Sequence, residues 1–374
     1  MRVMGSTITN AFSGEDDGIL GELRSRAILT GVVDGGLPLA WRAFFLAASF
    51  RPHKHHWYHT WHRKMMKNPV AFHARTRLVD RQLRNRLGEF DIVLQVGGLF
   101  ASFCGQNPKP VTLFCDYTTK LAELNYSPWF KMNKTVAREW YDLETALYQS
   151  CAVIFTASEN ARASLIRHYG VLPSHARTVR LGVRQVYEHP GKTYDESTVL
   201  FIGIDFERKG GPTLLEAFSK VRRRLGNAQL LIAGPRSRPS VEGVTWLGHV
   251  AERNRIDQLL SESTVLVLPS VCEPFGFALI EAMSHGLPVV GSSADAMPEI
   301  IQDGQTGYVV PAGDADALAD RLIHLLSSPG LCSRMGSAGR SRVLEEFLWT
   351  QVVDRIEDGL RDLYKGNPCL HNGA

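Results

Sequence analysis

The chain has 374 residues and a formal net charge of +4, with 42 Lys and Arg against 38 Asp and Glu. This length exceeds what one hydrophobic core usually supports, so we expect two domains. The small net charge gives no indication of a nucleic-acid or general polyanion binder. Six cysteines occur without zinc-ligand spacing, which favours a reduced, cytoplasmic compartment.

The beginning of the chain gives weak structural signals. Residues 1–18 are polar and contain nothing typical of a signal peptide, so we expect them to be poorly ordered. The first strand is expected at residues 27–33. The apolar stretch 37–50 is shorter than a membrane-spanning helix and contains Arg42, so it predicts a buried or interfacial helix.

Residues 51–86 form a basic segment, with ten Lys and Arg against one acid, Asp80, and with His, Trp and Tyr interleaved. Such a segment suits peripheral contact with an anionic membrane surface, where each cation contributes about 1 kcal/mol. An ordinary basic face on a domain explains it equally well.

A helix is predicted inside the basic segment. Its apolar face repeats every three or four residues, from Phe72 to Leu87, and arginines occupy the remaining faces. We expect this helix to pack on a strand at residues 91–96. Two further strands are predicted in this half, at 111–115 and 153–157.

The second half alternates short β-branched runs with longer segments of helical periodicity, which is typical of a parallel sheet covered by helices on both faces. The predicted strands are 199–204, 229–233, 244–247, 265–268, 289–291 and 308–310. The predicted helices are 212–225, 252–261, 277–285 and 315–326, with a final helix at 349–364. The predicted domains are 1–188, 189–346 and a C-terminal segment, 347–374, that crosses back to the first domain.

A strand, a loop and a helix follow one another in residues 265–285, the layout in which doubly wound sheets bind ligands. Gly276 leaves room for an anion, and the N–H groups of Gly276, Phe277 and Ala278 would meet a diphosphate at the positive end of the helix dipole. Glu281, about one turn later, could accept hydrogen bonds from both hydroxyls of a ribose. Glu273 would face a sugar on the other side of the phosphates.

A second strand-to-helix turn, residues 201–218, contains Arg208 and Lys209. Two cations beside a departing diphosphate would stabilise the charge that builds up as its bond to the sugar breaks. We therefore assign Arg208, Lys209 and Glu273 to catalysis.

The runs EPFGFALIE, EAMSHGLPVVGSSADAMPEII and DGQTGYVV closely resemble the donor site of family-four retaining glycosyltransferases. The resemblance implies the GT-B fold, in which two Rossmann-like doubly wound α/β domains face a central cleft. It implies metal-independent hexosyl transfer from a nucleotide-diphosphate sugar, without a cofactor. It places Glu281 on the ribose, Glu273 on the donor sugar, and the backbone of Gly276 and Phe277 on the diphosphate.

Two further implications concern this donor domain. The family usually has an arginine directly after the glycine at the end of the first strand of this domain. This chain has Ile204 there, so we expect Arg208 to supply that guanidinium. Base recognition is expected from the backbone of Gly248 and Val250. Ser292, Ser293 and Glu299 match the segment after the donor loop, and Glu299 is as suited to bracing a helix as to contacting a ligand.

The acceptor side is expected in the first domain, at the loops after two predicted strands. The candidates are Gly97, Gly98 and Asp116, which could bind a sugar hydroxyl or form an Asx turn. The family's histidine near the second loop has no counterpart here. The expected acceptor is a glycan or a lipid-linked molecule, in the synthesis of cell-envelope polysaccharide or glycolipid.

Other functions stay open at this point. A non-catalytic nucleotide-sugar-binding protein would keep the donor motifs and lose turnover, and an epimerase or phosphorylase would need a different donor site. A Rossmann dehydrogenase is disfavoured because no G-x-G-x-x-G follows a predicted strand.

Overall fold

The computed structural model describes residues 1–8, 15–49, 66–103, 107–130, 132–189, 192–235 and 240–366. The chain divides into two compact units, Met1–Arg180 with Val352–Ala374, and Leu181–Gln351. Each unit contains one six-stranded parallel sheet. Helices alternate with the strands in both units, so the predicted doubly wound α/β class is confirmed.

The sheet of the first unit has the order β2-β1-β3-β4-β5-β6. Its strands are β1 Val3–Thr7, β2 Leu29–Asp34, β3 Ile92–Val96, β4 Val111–Cys115, β5 Val153–Thr156 and β6 Ala176–Thr178. Its helices are α1 Glu15–Ser25, α2 Leu39–Ala48, α3 Pro69–Arg84, α4 Thr119–Asn125, α5 Lys134–Ser150 and α6 Glu159–Tyr169.

The sheet of the second unit has the order β12-β11-β10-β7-β8-β9. Its strands are β7 Thr198–Ile202, β8 Gln229–Ala233, β9 Val244–Gly248, β10 Val265–Leu268, β11 Val289–Ser292 and β12 Gly307–Val310. Its helices are α7 Gly211–Arg224, α8 Arg253–Glu262, α9 Phe277–Ser284, α10 Met297–Ile300, α11 Ala315–Leu326 and α12 Pro329–Glu346, and α13 Trp349–Lys365 follows. Every strand predicted in this half is present within one or two residues of its expected ends.

The prediction that residues 1–18 are poorly ordered is wrong for the described part of this segment. β1 is buried at all five positions and pairs with both β2 and β3. Its polar Ser6 is hydrogen-bonded to Ser102 at 2.8 Å, so a polar side chain is accommodated inside the core. The expected first strand is instead the second, β2, at the sheet edge.

Helix α2 lies within the apolar stretch that predicted a buried or interfacial helix. Of its described side chains only Phe45 is buried, whereas Leu39, Trp41, Phe44 and Leu46 are exposed. These exposures exclude the buried alternative, and the interfacial alternative stays a prediction. Among the described residues, none of the helices has both the length and the apolar character needed to cross a membrane.

Helix α3 confirms the helix predicted within the basic segment. Phe72, Val79 and Leu83 pack in one core cluster with Val93 of β3. The expectation that all its arginines lie outside this face is wrong for Arg75, which is 2% exposed and donates to the carbonyl of Met66 at 3.3 Å. Burial lowers the pKa of Arg75 to about 10. Residues 51–65 of the basic segment lie outside the described residues.

From Val352 onward, α13 belongs to the first unit. Arg26 pairs with Asp354 at 2.6 Å and with Glu357 at 3.1 Å, and Arg355 donates to the carbonyl of Val179 at 3.0 Å. The helix therefore attaches to the first unit through charge-assisted hydrogen bonds.

Candidate functional site

Two neighbouring strands of the second unit, β7 and β10, end beside each other because parallel strands point their carboxyl ends to the same edge. The loops that follow them are in direct contact. Gly210 has φ +75°, and a Cβ there would overlap the carbonyl oxygen of Pro269. The N–H of Val271 donates to the carbonyl of Arg208 at 2.9 Å. The close approach of these loops therefore requires glycine at residue 210.

The two loops bring the predicted catalytic residues together. Lys209 Nζ lies 3.1 Å and Arg208 Nη1 3.3 Å from the same oxygen of Glu273, Oε2. Arg208 Nη1 also donates to the carbonyl of Cys272 at 2.7 Å. Arg208 and Glu273 are buried, at 9% and 7% exposure. Buried charges persist only when paired, and this cluster pairs them.

Asp295, which sequence reasoning missed, fixes the backbone of Glu273. Its Oδ2 accepts a hydrogen bond from the Glu273 N–H at 2.8 Å. Asp295 has φ +49°, a left-handed conformation that is unfavourable for most side chains. The Ser270 hydroxyl donates a hydrogen bond to the side chain of Glu273, at 3.3 Å from Oε2. No sequence signal in the strand–loop–helix run points to Asp295, because it lies 22 positions further along the chain.

The N-cap residue of α9 has no side chain with which to cap the helix. This residue is Gly276, with φ +105°. The N–H of Leu279 donates to the carbonyl of Gly276 at 2.8 Å, whereas the first N–H groups, those of Phe277 and Ala278, precede any intrahelical acceptor. Because α9 is eight residues long and almost entirely buried, its N-terminal N–H groups are held in fixed positions.

Glu281 lies on the same helix and contacts a residue that sequence reasoning did not include. Arg253, the first residue of α8, donates through Nη1 to Glu281 Oε1 and lies 2.9 Å from Asp257 Oδ1. The side chain of Glu281 is 13% exposed, so its carboxylate is largely removed from solvent.

The two residues proposed for the base lie at the edge of the same sheet. Gly248 ends β9 with φ +68°, and its carbonyl accepts from the Gly234 N–H at 2.7 Å. It is in register with Ala233 of β8, which is in register with Ile202 of β7. Two strand spacings, roughly 10 Å, therefore separate Gly248 from the end of β7. Val250 is half-buried in the loop that leads to α8.

This arrangement provides two cations, an uncapped helix N-terminus and two carboxylates along one edge of a sheet. The cations and the helix N-terminus attract anionic oxygens, and the carboxylates accept hydrogen bonds from hydroxyls. The site is thus suited to a ligand that carries phosphates in the middle and hydroxyls at both ends.

A family model described as glycosyl transferases group 1 matches residues 196–328. This segment contains all the predicted donor-site residues, from Arg208 to Glu281. Over this segment the chain is similar to that family.

Two curated relatives show how far the sequence similarity extends. Alpha-maltose-1-phosphate synthase of Mycolicibacterium smegmatis is 28% identical over 250 residues, which cover 57% of this chain and 64% of the relative. Phosphatidyl-myo-inositol mannosyltransferase of Mycobacterium leprae is 38% identical over 169 residues, 42% of this chain and 45% of the relative. The chain thus spans between about half and two thirds of the lengths of these relatives.

Solved structures match the chain over nearly its whole length. Sucrose-phosphate synthase from Thermosynechococcus elongatus has a TM-score of 0.72 at 19% identity, covering 98% of this chain and 100% of the other. Anabaena HepE in complex with UDP has a TM-score of 0.66 at 14% identity, covering 97% and 100%. The two six-stranded parallel sheets are those of GT-B glycosyltransferase structures.

In the first unit, Gly97 and Gly98 follow β3. Gly97 has φ +84°, and its N–H donates to the carbonyl of Phe114 on β4 at 2.9 Å. Gln95, a buried residue that sequence reasoning missed, donates to the carbonyls of Gly97 and Phe100 at 2.8 and 2.7 Å. A buried amide with both bonds satisfied holds this loop in one conformation.

Asp116 directly follows β4. Its Oδ1 accepts from the N–H of Tyr117 at 2.8 Å, which is a local turn contact. Burial raises the pKa of Asp116, while this hydrogen bond and the charge of Lys67 oppose that rise. The role of Asp116 toward an acceptor stays a prediction.

The residues after the donor loop have structural contacts. Ser292 donates to the carbonyl of Ser270 at 2.5 Å, and Ser293 accepts from the Ala312 N–H at 3.3 Å. Glu299 lies in the first turn of α10, and its carbonyl accepts from Arg342 at 2.9 Å. Of these contacts, the bond from Ser292 to Ser270 reaches the loop that carries Glu273.

Proposed function

We propose that this protein transfers a hexose from a nucleotide-diphosphate sugar to a glycan or lipid-linked acceptor, with retention at the anomeric carbon and without a metal ion. The observation that carries the proposal is the cluster of Arg208, Lys209 and Glu273 beside the open N-terminus of α9. It combines a cationic surface for a diphosphate with a buried carboxylate for a sugar.

The proposed chemistry follows from where charge develops. As the bond from the anomeric carbon to the diphosphate breaks, negative charge grows on the terminal phosphate, next to Arg208, Lys209 and the N–H groups of Phe277 and Ala278. These groups stabilise the transition state more than the bound donor, so they accelerate the reaction. The departing phosphate oxygen can accept the acceptor's proton, so no separate protein base is needed.

Glu273 would orient the sugar. Its Oε2 is bound by both cations, and its backbone is fixed by Asp295. A carboxylate held in this way can accept hydrogen bonds from sugar hydroxyls without losing its position. Glu281 would hold the ribose, and the backbone of Gly248 and Val250 would contact the base.

The acceptor class rests on the relatives. Phosphatidyl-myo-inositol mannosyltransferase modifies a lipid, by its name, and alpha-maltose-1-phosphate synthase makes a sugar phosphate. The basic segment supports a lipid-linked acceptor at an anionic membrane surface, with the protein in the cytoplasm and peripherally attached. We assign acceptor binding to the first unit, with Gly97, Gly98 and Asp116 as candidates, and donor binding to the second.

The experiment that tests this function measures release of nucleoside diphosphate from UDP-, GDP- and ADP-hexoses. Wild-type protein should release it from one of the three. Glu273→Gln should reduce the rate by about a hundredfold, since an ordered carboxylate in a polar site contributes on the order of 2–3 kcal/mol. Glu216→Gln, which changes an exposed carboxylate on α7, is the matched control and should keep the wild-type rate.

Two results would contradict the proposal. Equal rates in wild type and Glu273→Gln would remove Glu273 from catalysis. Tight binding of a sugar nucleotide with no release, and with no release on addition of cell-envelope lipid extract, would favour the alternative of a non-catalytic nucleotide-sugar-binding protein.

A further inference from the structure

Glu281 is held by a chain of contacts that extends away from the proposed donor site. One of its carboxylate oxygens, Oε1, is bound by Arg253. Among the described contacts, Oε2 of Glu281 has no hydrogen-bond donor. The carboxylate is therefore oriented by one oxygen while the other can accept from a hydroxyl.

Arg253 is itself held in place. Its second terminal nitrogen, Nη2, lies 2.9 Å from Asp257 Oδ1, one helical turn along α8. The attraction of Glu281 and Asp257 outweighs the effect of partial burial and raises the pKa of Arg253 above its usual value. The guanidinium thus bridges two carboxylates on two different helices, α8 and α9, and each of its terminal nitrogens contacts one of them.

Asp257 is fixed in turn by a stack of aromatic rings. His285 is buried, its Nε2 lies 3.4 Å from Asp257 Oδ1, and its Nδ1 lies 3.0 Å from His189 Nε2. The ring of Tyr187 stacks on His285 at 3.9 Å between centroids, and its hydroxyl donates to Asp257 Oδ2 at 3.4 Å. Oδ2 of Asp257 is therefore held by a hydrogen bond, while Oδ1 lies within 3.4 Å of Arg253 and His285 as an electrostatic contact only.

The imidazole of His285 is neutral in this setting, because burial lowers its pKa to about 4. A neutral ring carries one N–H. With that N–H at Nε2, it faces Asp257, and Nδ1 accepts from His189. This arrangement leaves the negative charge of Asp257 directed to Arg253.

We propose that Arg253 is a positioning residue for the ribose end of the donor, which acts through Glu281 and makes the site selective for ribose over 2′-deoxyribose. This inference rests on the proposed function of the donor site. With one oxygen of Glu281 fixed, the other lies at one place only, where a correctly spaced hydroxyl can donate. A ligand that lacks the 2′-hydroxyl leaves polar groups unpaired, which a site built to bind that hydroxyl penalises.

The test measures dissociation constants by titration calorimetry for UDP, GDP and ADP, for the 2′-deoxy form of whichever binds best, and for inorganic pyrophosphate. Wild type should prefer the ribonucleotide by tenfold or more. Arg253→Ala should weaken ribonucleotide binding by about tenfold to a hundredfold and reduce the preference below about threefold. Pyrophosphate binding should stay unchanged, because it uses Arg208, Lys209 and α9.

Two variants control for indirect effects. Arg255→Ala removes an exposed arginine of α8 that pairs only with Gln258 in the described contacts. It should leave the affinities for the ribonucleotide, its 2′-deoxy form and pyrophosphate unchanged. Arg253→Lys keeps the charge and should recover part of the ribonucleotide affinity, with a smaller recovery of selectivity, since a lysine cannot bridge both carboxylates with fixed geometry.

The outcomes separate this inference from the proposed function. If wild type binds none of the nucleoside diphosphates, both are contradicted. If wild type binds and Glu281→Gln loses binding, but Arg253→Ala keeps the affinity and the ribose preference, only the inference is overturned. A parallel loss of pyrophosphate binding in Arg253→Ala would also overturn it, since that would indicate a general change in the unit.

Discussion

Asp295 combines an unfavourable backbone conformation with a hydrogen bond to the N–H of Glu273, at 2.8 Å. A left-handed conformation costs most side chains of order 1–3 kcal/mol, and it persists where the surroundings enforce it. Asp and Asn tolerate it better than other residues because their short side chains bond locally. Asp295, in a constrained conformation, thus holds the backbone of Glu273, the residue proposed to bind the sugar.

Substitution of Asp295 separates the backbone from the side chain. Asp295→Gly relieves the conformational cost but removes the acceptor, so we expect an unchanged or higher melting temperature and about a tenfold lower rate of nucleoside diphosphate release. Asp295→Asn keeps both features and should stay within about threefold of wild type. Full activity of the glycine variant would show that Asp295 has no part in placing Glu273.

For single residues, the sequence predicts which charged side chains lie together but not the residues that hold them in place. Two strand-to-helix turns predict Arg208, Lys209 and Glu273 as site residues. In the structure both cations lie within 3.3 Å of Glu273 Oε2. Asp295, Arg253 and Gln95 could not be predicted. Their roles depend on contacts between segments distant in sequence, which neither periodicity nor a local motif encodes.

Among the elements, the two loops after β7 and β10 form a close backbone contact in the proposed site. Gly210 caps α7 with φ +75°, and it faces the carbonyl of Pro269 without room for a side chain. Any displacement of this contact would separate Arg208 and Lys209 from Glu273.

Gly210→Ala is therefore expected to destabilise the second unit by about 2–4 kcal/mol, from the left-handed backbone and the overlap with Pro269. Urea unfolding, followed by fluorescence, should show a lower midpoint. Gly226→Ala is the matched control, because a Cβ there meets nothing within 4 Å, and its midpoint should lie close to that of wild type. Equal midpoints for the two variants would contradict the required close approach.

The elements of the second unit were predictable because its strands are short β-branched runs separated by helices of clear periodicity, and β8 was predicted with its observed ends. β1 was not. Two of its five residues, Ser6 and Thr7, are polar, yet all five are buried because the strand lies between β2 and β3. The position of a strand in the sheet, which local sequence does not specify, decided its burial.

For the whole molecule, the distribution of charge is more informative than its net value of +4. In the described part of the basic segment, Arg84 pairs with Asp80 at 2.8 Å and Arg86 with Glu89 at 2.7 Å, while Arg75 is buried. Arg77 and Arg81 are exposed on α3. These two arginines are the described cations best placed to meet an anionic surface.

We expect Arg77→Glu with Arg81→Glu to reduce binding to phosphatidylcholine vesicles that contain phosphatidylglycerol by at least tenfold in co-sedimentation at 0.1 M NaCl, since each cation contributes about 1 kcal/mol. The pair Arg223→Glu with Arg224→Glu makes the same charge change on exposed residues of α7 and should have a smaller effect. Equal losses for both pairs, or binding that persists in 1 M NaCl, would contradict membrane contact through this segment.

The central claim is that the edge of the second sheet binds the diphosphate of a nucleotide sugar through Lys209 and its neighbours. Titration calorimetry with UDP, GDP and ADP tests it directly, using wild type, Lys209→Gln and, as control, Lys220→Gln, whose lysine pairs with exposed Glu216 and Asp316. We predict that one diphosphate binds wild type and Lys220→Gln equally, and that Lys209→Gln binds it at least tenfold more weakly. Equal affinities of all three proteins, or no binding of any diphosphate to wild type, would contradict the claim.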